Sequence, residues 1–307
     1  MWSKIRVGMV AILIGLIAIV SYRYLSGQTI ALLQPKGLIA EKERDLIYLA
    51  TVLMLIVVIP VFFMAFWFPK RYNENSKNAE YLPDWDSNKA LEAIWWGVPI
   101  AIIGVIAIVT WKSTHELDPF KPLAAANRQQ RIQVVAMEWK WLFIYPDEGI
   151  VTVNHVLVPK DVPVSFEITS DAPMNSFWIP QLSGQIYAMS GMSTKLHVLA
   201  NSTGKYEGLS ANISGYGFSD MRFIAEVVDK NSYNDWVNNI NISSSKFGEN
   251  EYQQLSIPSV ANTPQYFSLS QNDLYSRIVA KYNDPTMIDG LKLQLRSSNF
   301  HNHAEDK

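Results

Sequence analysis

The sequence predicts a membrane-anchored α + β protein: two transmembrane helices, three if the N-terminal apolar run is retained, then an extracytoplasmic β-sandwich and a short helical C-terminal extension. Three observations carry this. Uncharged apolar runs at residues 7–20, 46–68 and 94–111 fill the first third of the chain. From about Arg131 the pattern changes, and Val162-Pro163-Val164-Ser165-Phe166-Glu167-Ile168-Thr169 alternates apolar with polar residues over eight positions. After Asp229 that alternation ends, and Leu274, Ile278 and Val279 fall at helical spacing.

The first run follows Lys4 and Arg6, the layout of a signal peptide or of a retained anchor. No small-x-small cleavage site follows it, which favours an uncleaved first helix, with cleavage by another peptidase as the alternative. The second run is about 35 Å long as a helix, enough to cross a bilayer with some tilt. The third is just sufficient. Pro60 and Pro99 are tolerated in membrane helices, and Trp67, Trp95, Trp96 and Trp111 fall where interfacial aromatics belong. A pair of buried core helices is the soluble alternative, and uncharged runs of this length disfavour it. With Lys4 and Arg6 inside, the second run crosses inward and the third outward, leaving everything after Lys112 outside the cytoplasm. Loop charges decide little: Lys70, Arg71, Lys77 and Lys89 on the inner side face Arg23, Lys36, Lys42 and Arg44 on the outer.

Strand patterns recur at 132–145, 150–158, 162–169, 194–200, 205–211 and 222–228, separated by Pro, Gly, Asn and Asp, which argues for an antiparallel sandwich. After Asp229 the strands are expected to stop, with helices at 234–240 and 272–282 and a polar tail at 296–307. The implied boundaries are 1–28 for the signal peptide or anchor, 40–112 for the helical hairpin, 128–229 for the sandwich and 230–295 for an aromatic-rich helical extension.

Composition excludes several chemistries. Basic and acidic residues number 26 and 28, so no charge imbalance points to nucleic acid. Cysteine is absent, which removes disulfides, zinc-thiolate sites, iron–sulfur clusters and nucleophilic thiols. The five histidines, His115, His155, His197, His301 and His303, show no metal-ligand spacing. His301 and His303 read as a solvated tail, and His197 is expected to face solvent because Leu196 and Val198 take the other face of its strand. Glu92 opens the third apolar run a turn before Trp95 and Trp96. An acid at a membrane edge collects protons; the plainer reading is a helix-start carboxylate interacting with the macrodipole.

Residues 210–221 read Ser210-Ala211-Asn212-Ile213-Ser214-Gly215-Tyr216-Gly217-Phe218-Ser219-Asp220-Met221. This resembles the C-x-E-x-C-G-x-x-H-x-x-M binuclear copper loop of cytochrome c oxidase subunit II. Ser210 and Ser214 stand at the two cysteines, Asn212 at the glutamate, Phe218 at the histidine, and only Met221 remains. Upstream, Ser170-Asp171-Ala172-Pro173-Met174-Asn175-Ser176-Phe177-Trp178-Ile179-Pro180 resembles the segment carrying the other histidine ligand, with Asn175 in its place. Met189-Ser190-Gly191-Met192, Trp139-Lys140-Trp141-Leu142-Phe143-Ile144-Tyr145-Pro146 and Asn88-Lys89-Ala90-Leu91-Glu92-Ala93-Ile94-Trp95-Trp96 are also similar to that family. From about Leu33 to about Tyr282 the chain resembles subunit II of a haem-copper ubiquinol oxidase of the cytochrome bo type, which lacks this copper centre.

The resemblance implies a cupredoxin fold with the 210–221 loop between its last two strands, and Tyr252, Tyr266, Phe267 and Tyr275 in an aromatic-rich extension. It implies no cofactor and no catalytic residue in this chain, with haems and one copper in a partner subunit I, subunits III and IV beside it, ubiquinol as the substrate of the complex, the bilayer as a further partner, no soluble cytochrome c, and a periplasmic C-terminal domain on a bacterial inner membrane. Glu92 then stands at a proton entry, and Trp139 and Trp141 are candidate contacts for subunit I. Relatives are often lipoproteins; here Leu25-Ser26-Gly27-Gln28 lacks the cysteine to be lipidated. The residues Asn175, Ser210, Asn212 and Ser214 are expected to hydrogen-bond with each other and with backbone. Two rivals remain: a true cytochrome c oxidase subunit II, which would need cysteines at 210 and 214, and a membrane-anchored assembly or metal-delivery protein, which would want a Met/His cluster that the scattered Met174, Met189, Met192 and Met221 do not make.

Overall fold

The computed structural model describes residues 30–72, 86–123, 129–260 and 263–283, together with Val20. The N-terminal run, Lys77, His301, His303 and the polar tail lie outside the described residues. The chain forms two compact units, residues 42–121 and the remainder.

The first unit holds most of α1 (Leu38–Arg71) and all of α2 (Lys89–Glu116). At 1.5 Å per residue they are about 51 and 42 Å long, well over the roughly 30 Å of a hydrocarbon core. Both are apolar on every side and have the length and composition to cross a membrane. Pro60 and Pro69 lie inside α1 and Pro99 inside α2. Asn88 caps α2, its side chain accepting from the amides of Ala90 and Leu91. An ion pair between Lys42 and Glu116 joins the start of α1 to the end of α2.

The second unit is a two-sheet sandwich. One sheet orders β11 (Lys246–Phe247), β12 (Gln265–Leu269), β3 (Ile150–Val153), β2 (Lys140–Tyr145), β1 (Gln130–Met137), β5 (Val164–Ser170) and β8 (Thr194–Val198). The other orders β4 (His155–Pro159), β10 (Arg222–Val228), β9 (Gly204–Ser210), β6 (Asn175–Trp178) and β7 (Gln185–Ala188). Expectation and structure differ in three respects. The sandwich is mixed, since β1 pairs parallel with β5 and β4 parallel with β10. β6 and β7 escape the alternation because each has only four residues. Strands do not stop at Asp229: β12 adds antiparallel to β3, and β11 pairs with β12.

An aromatic core lies between the sheets. Phe177 stacks on Phe223 with centroids 5.1 Å apart, and Trp141 meets both edge-on. Gly208 pairs with Phe223 across β9 and β10, and a Cβ there would lie 2.1 Å from its ring. The other face of β1, β2 and β3 is also buried, under Phe247, Tyr252, Leu274, Tyr275 and Ile278 of the C-terminal extension. That extension comprises α3 (Lys230–Ser243), α4 (Glu249–Ser256), α5 (Leu274–Lys281) and the two added strands. The segment before α1 is fixed to the sandwich too: Gly37 bridges Ala200, and its Cα passes so close to Leu182 that a Cβ would lie 2.4 Å from that carbonyl oxygen.

His197 is buried, contrary to expectation, because Gln129 folds over it and donates to Nδ1. His155 is buried beside Glu226 at 3.1 Å. Desolvation is the leading cause that lowers both imidazole pKa values, with Glu226 partly opposing it at His155 and Lys195 adding to it at His197. The fold therefore resists protonating them, while the unfolded chain protonates near its ordinary value. Stability is expected to fall as pH drops below about 6.5, and a His155→Gln/His197→Gln chain should show a shallower loss of unfolding midpoint over that range.

Candidate functional site

The loop of residues 210–221 joins β9 to β10, the last two strands of the five-stranded sheet, and the strand ladder closes it: the Ser210 amide donates to the Met221 carbonyl at 3.1 Å. Met221 is buried, while Phe218 is half-exposed in a 3-10 turn at Phe218–Asp220. The segment carrying Asn175 runs alongside, because β6 pairs with β9 and the Ala211 amide donates to the Ser176 carbonyl. The fold thus brings together the two segments that the sequence singles out.

Polar contacts fasten them. The Ser210 hydroxyl, buried, donates to Asn175 Oδ1 at 3.0 Å, with the Asn212 carbonyl as a longer alternative at 3.3 Å. Asn175 Nδ2 donates to the Pro173 carbonyl at 2.7 Å, and Asn212 Nδ2 to the Met174 carbonyl at 2.8 Å. Ser214 departs from the expected network. Its Oγ is buried without a hydrogen-bond partner among the protein atoms; the residue is held instead through its carbonyl, which accepts from the Trp139 indole N–H at 3.4 Å.

Copper does not fit this donor set. A binuclear copper centre needs bridging thiolates and imidazoles, and soft ligands are what select that metal. Here hydroxyls, amides and a phenyl ring occupy those places, with the Met221 thioether alone among a copper site's donors. Among the described residues no three His, Cys, Asp or Glu side chains converge on a possible metal position.

Trp139 sits under the loop in a left-handed backbone conformation, φ +62°. Its ring lies against Gly215 and Gly217 and edge-on to Tyr216. A Cβ at Gly217 would come within 2.5 Å of the indole, so only glycine permits the contact. The loop tip is apolar and exposed: Ile213 is 81% and Tyr216 91% accessible. Trp141, expected as a second outward contact, is wholly buried in the core. The left-handed residue interrupts the strand, so the two tryptophans do not share a face as a two-residue spacing would place them.

Glu92 lies in the first turn of α2. It borders a cavity of about 300 Å³ together with Asp86, Asn88, Trp95 and Trp96.

Two family models match the chain. Residues 147–228 match the periplasmic domain of cytochrome c oxidase subunit II, and residues 243–286 match the cytochrome oxidase aromatic-rich motif. The cytochrome bo(3) ubiquinol oxidase subunit 2 of Pseudomonas aeruginosa is 47% identical over 258 residues, 84% of this chain and 78% of its own. This chain belongs to the ubiquinol oxidase subunit 2 family. The Pseudomonas putida protein of that name is 45% identical over 88% of this chain and 86% of its own, and the ubiquinol oxidase subunit 2 of Acetobacter aceti 44% over 89% and 91%. As a ubiquinol oxidase subunit 2, the chain is a membrane-anchored protein with a cupredoxin-like outer domain.

Sequence reasoning missed two charged residues beside this site, Lys140 and Asp171, both buried. A signal for Lys140 was present: it is the one charge in an otherwise apolar run from Trp139 to Tyr145. In this subunit 2 the Asn175→Ala substitution removes the acceptor of the buried Ser210 hydroxyl. It should cost about 1–3 kcal/mol of outer-domain stability, read as a lower midpoint of thermal unfolding in detergent.

Proposed function

We propose that this chain is the non-redox second subunit of a proton-pumping ubiquinol:oxygen oxidoreductase in a bacterial inner membrane. Its helices α1 and α2 cross the bilayer, its cupredoxin-like domain is periplasmic, and the haems, one copper and the quinol site belong to a partner subunit I, with subunits III and IV alongside. The observation that carries this reading is the Ser210–Asn175 hydrogen bond at the place of a thiolate and an imidazole. Quinol delivers its electrons from within the membrane, so a copper relay in the outer domain would have nothing to relay and no soluble cytochrome c need dock.

In this reading the loop supports subunit I mechanically. The exposed Ile213 and Tyr216, backed by Trp139, supply an apolar tip suited to a protein contact. Glu92 takes the chemical role, at a proton entry on the cytoplasmic side. Its place in the first turn of a membrane helix, bordering a small cavity whose lining also includes Asp86, supports that assignment. The carboxylate also opposes the positive end of the α2 dipole, which favours keeping an acid there whatever its role.

Two measurements test the proposal. Tagged chain isolated from membranes in mild detergent should bring a haem-bearing partner that oxidises ubiquinol; copper-loaded, partner-free protein would overturn the reading. In that complex Glu92→Gln should slow turnover about tenfold, or about 1.4 kcal/mol on the barrier, with assembly intact. Turnover and haem reduction kinetics equal to wild type would remove Glu92 from the proton path.

A further inference from the structure

We propose that the C-terminal extension is a strap locked onto the sandwich by two buried charges of opposite sign, Lys140 and Asp171, and that its closure holds the 210–221 loop in shape. Lys140 is 1% exposed, and its ammonium donates to the carbonyls of Leu255 and Ile257, each at 2.7 Å, at the C-terminal end of α4. The side chain of Asp171 is 2% exposed. Its carboxylate accepts from the Tyr252 hydroxyl, from the Tyr282 hydroxyl at 2.6 Å and from the Lys281 ammonium at 2.8 Å. All of these side-chain partners come from residues 252–282.

The two charges lie at one end of the seven-stranded sheet. Lys140 opposes Met137 across β2 and β1, Ala136 opposes Ser170 across β1 and β5, and the Asp171 amide donates to the Ala136 carbonyl. Between them the strap buries Met137 and Leu142. Further ties run from Tyr275 to Ser193 and from the Asn283 side chain to the Gly191 carbonyl.

A buried charge that loses its partner must be hydrated or neutralised. Lifting the strap at either residue therefore admits water to the same end of the sheet and weakens the hold at the other, so the strap opens as a unit. The consequence reaches the loop through two neighbours. Trp139 immediately precedes Lys140, and Val260 lies three residues beyond Ile257. A Cβ at Gly217 would meet Val260 at 2.2 Å and Trp139 at 2.5 Å, so the loop is closed between the strap and the Trp139 ring. Locking the strap thus seals the loop.

Hydrogen exchange followed by mass spectrometry on the full chain in its purified membrane complex tests this. Asp171→Asn and Lys140→Met should each raise exchange in α4, β12 and α5 about ten- to a hundredfold, the scale of losing hydrogen bonds to a buried charge. Residues 213–217 should exchange faster in step, while β6, β9 and β10 keep their protection and the exposed control Asp235→Asn changes nothing. Tyr282→Phe removes one donor and keeps the charge, so it reports even where the harsher variants fail to fold; about fivefold faster strap exchange is expected. Unchanged strap exchange, a uniform rise across both sheets, or a strap that opens while the loop stays protected would each overturn the proposal.

Discussion

At Trp139 the backbone takes a left-handed turn, and three consecutive side chains leave it for three different parts of the outer domain. Trp139 goes under the loop, Lys140 into the extension and Trp141 into the space between the sheets. A bulky residue at positive φ costs about 1–3 kcal/mol and persists only where its surroundings over-determine it. Here they do. Asn154, also left-handed at φ +53°, accepts from the Trp141 amide through its side chain and donates to the Trp141 carbonyl through its own amide. The aromatic core then fixes the ring of Trp141. With both sides of the turn tied, the loop and the extension each find a rigid surface to close against.

The membrane helices were legible because their signal is length without charge, and nothing in tertiary structure alters that. The alternation over residues 162–169 announced β5, which runs Val164–Ser170, equally directly. β2 carried a different signal, the unbroken apolar run from Trp141 to Tyr145, which is what a strand buried on both faces requires. Its meaning depends on knowing what covers the second face, and the cover lies a hundred residues later in short pieces: a two-residue strand, a five-residue strand and two eight-residue helices. Elements of that size are stable only against a surface already present; the helical spacing of Leu274, Ile278 and Val279 announced α5, but the two- and five-residue strands are too short to carry a period. The burial of His197 was hidden for a related reason, since strand alternation speaks of one face and Gln129 arrives from outside the strand.

At the candidate site the two segments and their juxtaposition could be read from the residues, and so could the loss of every strong copper ligand but Met221. The way the vacated positions are filled could only be partly anticipated. Ser210 and Asn175 replace a metal-bridged contact with a hydrogen bond, worth about 1 kcal/mol net but costly to leave unmade once buried. That asymmetry explains why polar residues serve here as a fastening: each holds the other in place. Ser214 lies outside the network, at the point where the chain turns through Gly215, φ +113°, with the exposed Tyr216 beyond it. A backbone turn of that kind is set by the fit of Gly215 and Gly217 against Trp139, a contact between residues about 75 apart in sequence.

The proposed division of labour follows from where the chain places its polar chemistry. α2 is about 42 Å long, with Glu92 in its first turn and Glu116, paired to Lys42, in its last. The acid assigned to proton entry and the end of the hairpin leading to the outer domain therefore sit at opposite ends of the same helix. Among the described residues no charged side chain of α2 lies between Glu92 and Lys112. A proton taken up at Glu92 has no carrier along this helix and must leave it sideways, into whatever protein packs against the first turns of α2. Trp95 and Trp96, exposed a turn beyond Glu92, sit where interfacial aromatics belong. The helix dipole favours an acid at this position in any subunit, so the proposed proton role rests on where Glu92 would hand its proton and not on the acid's presence alone.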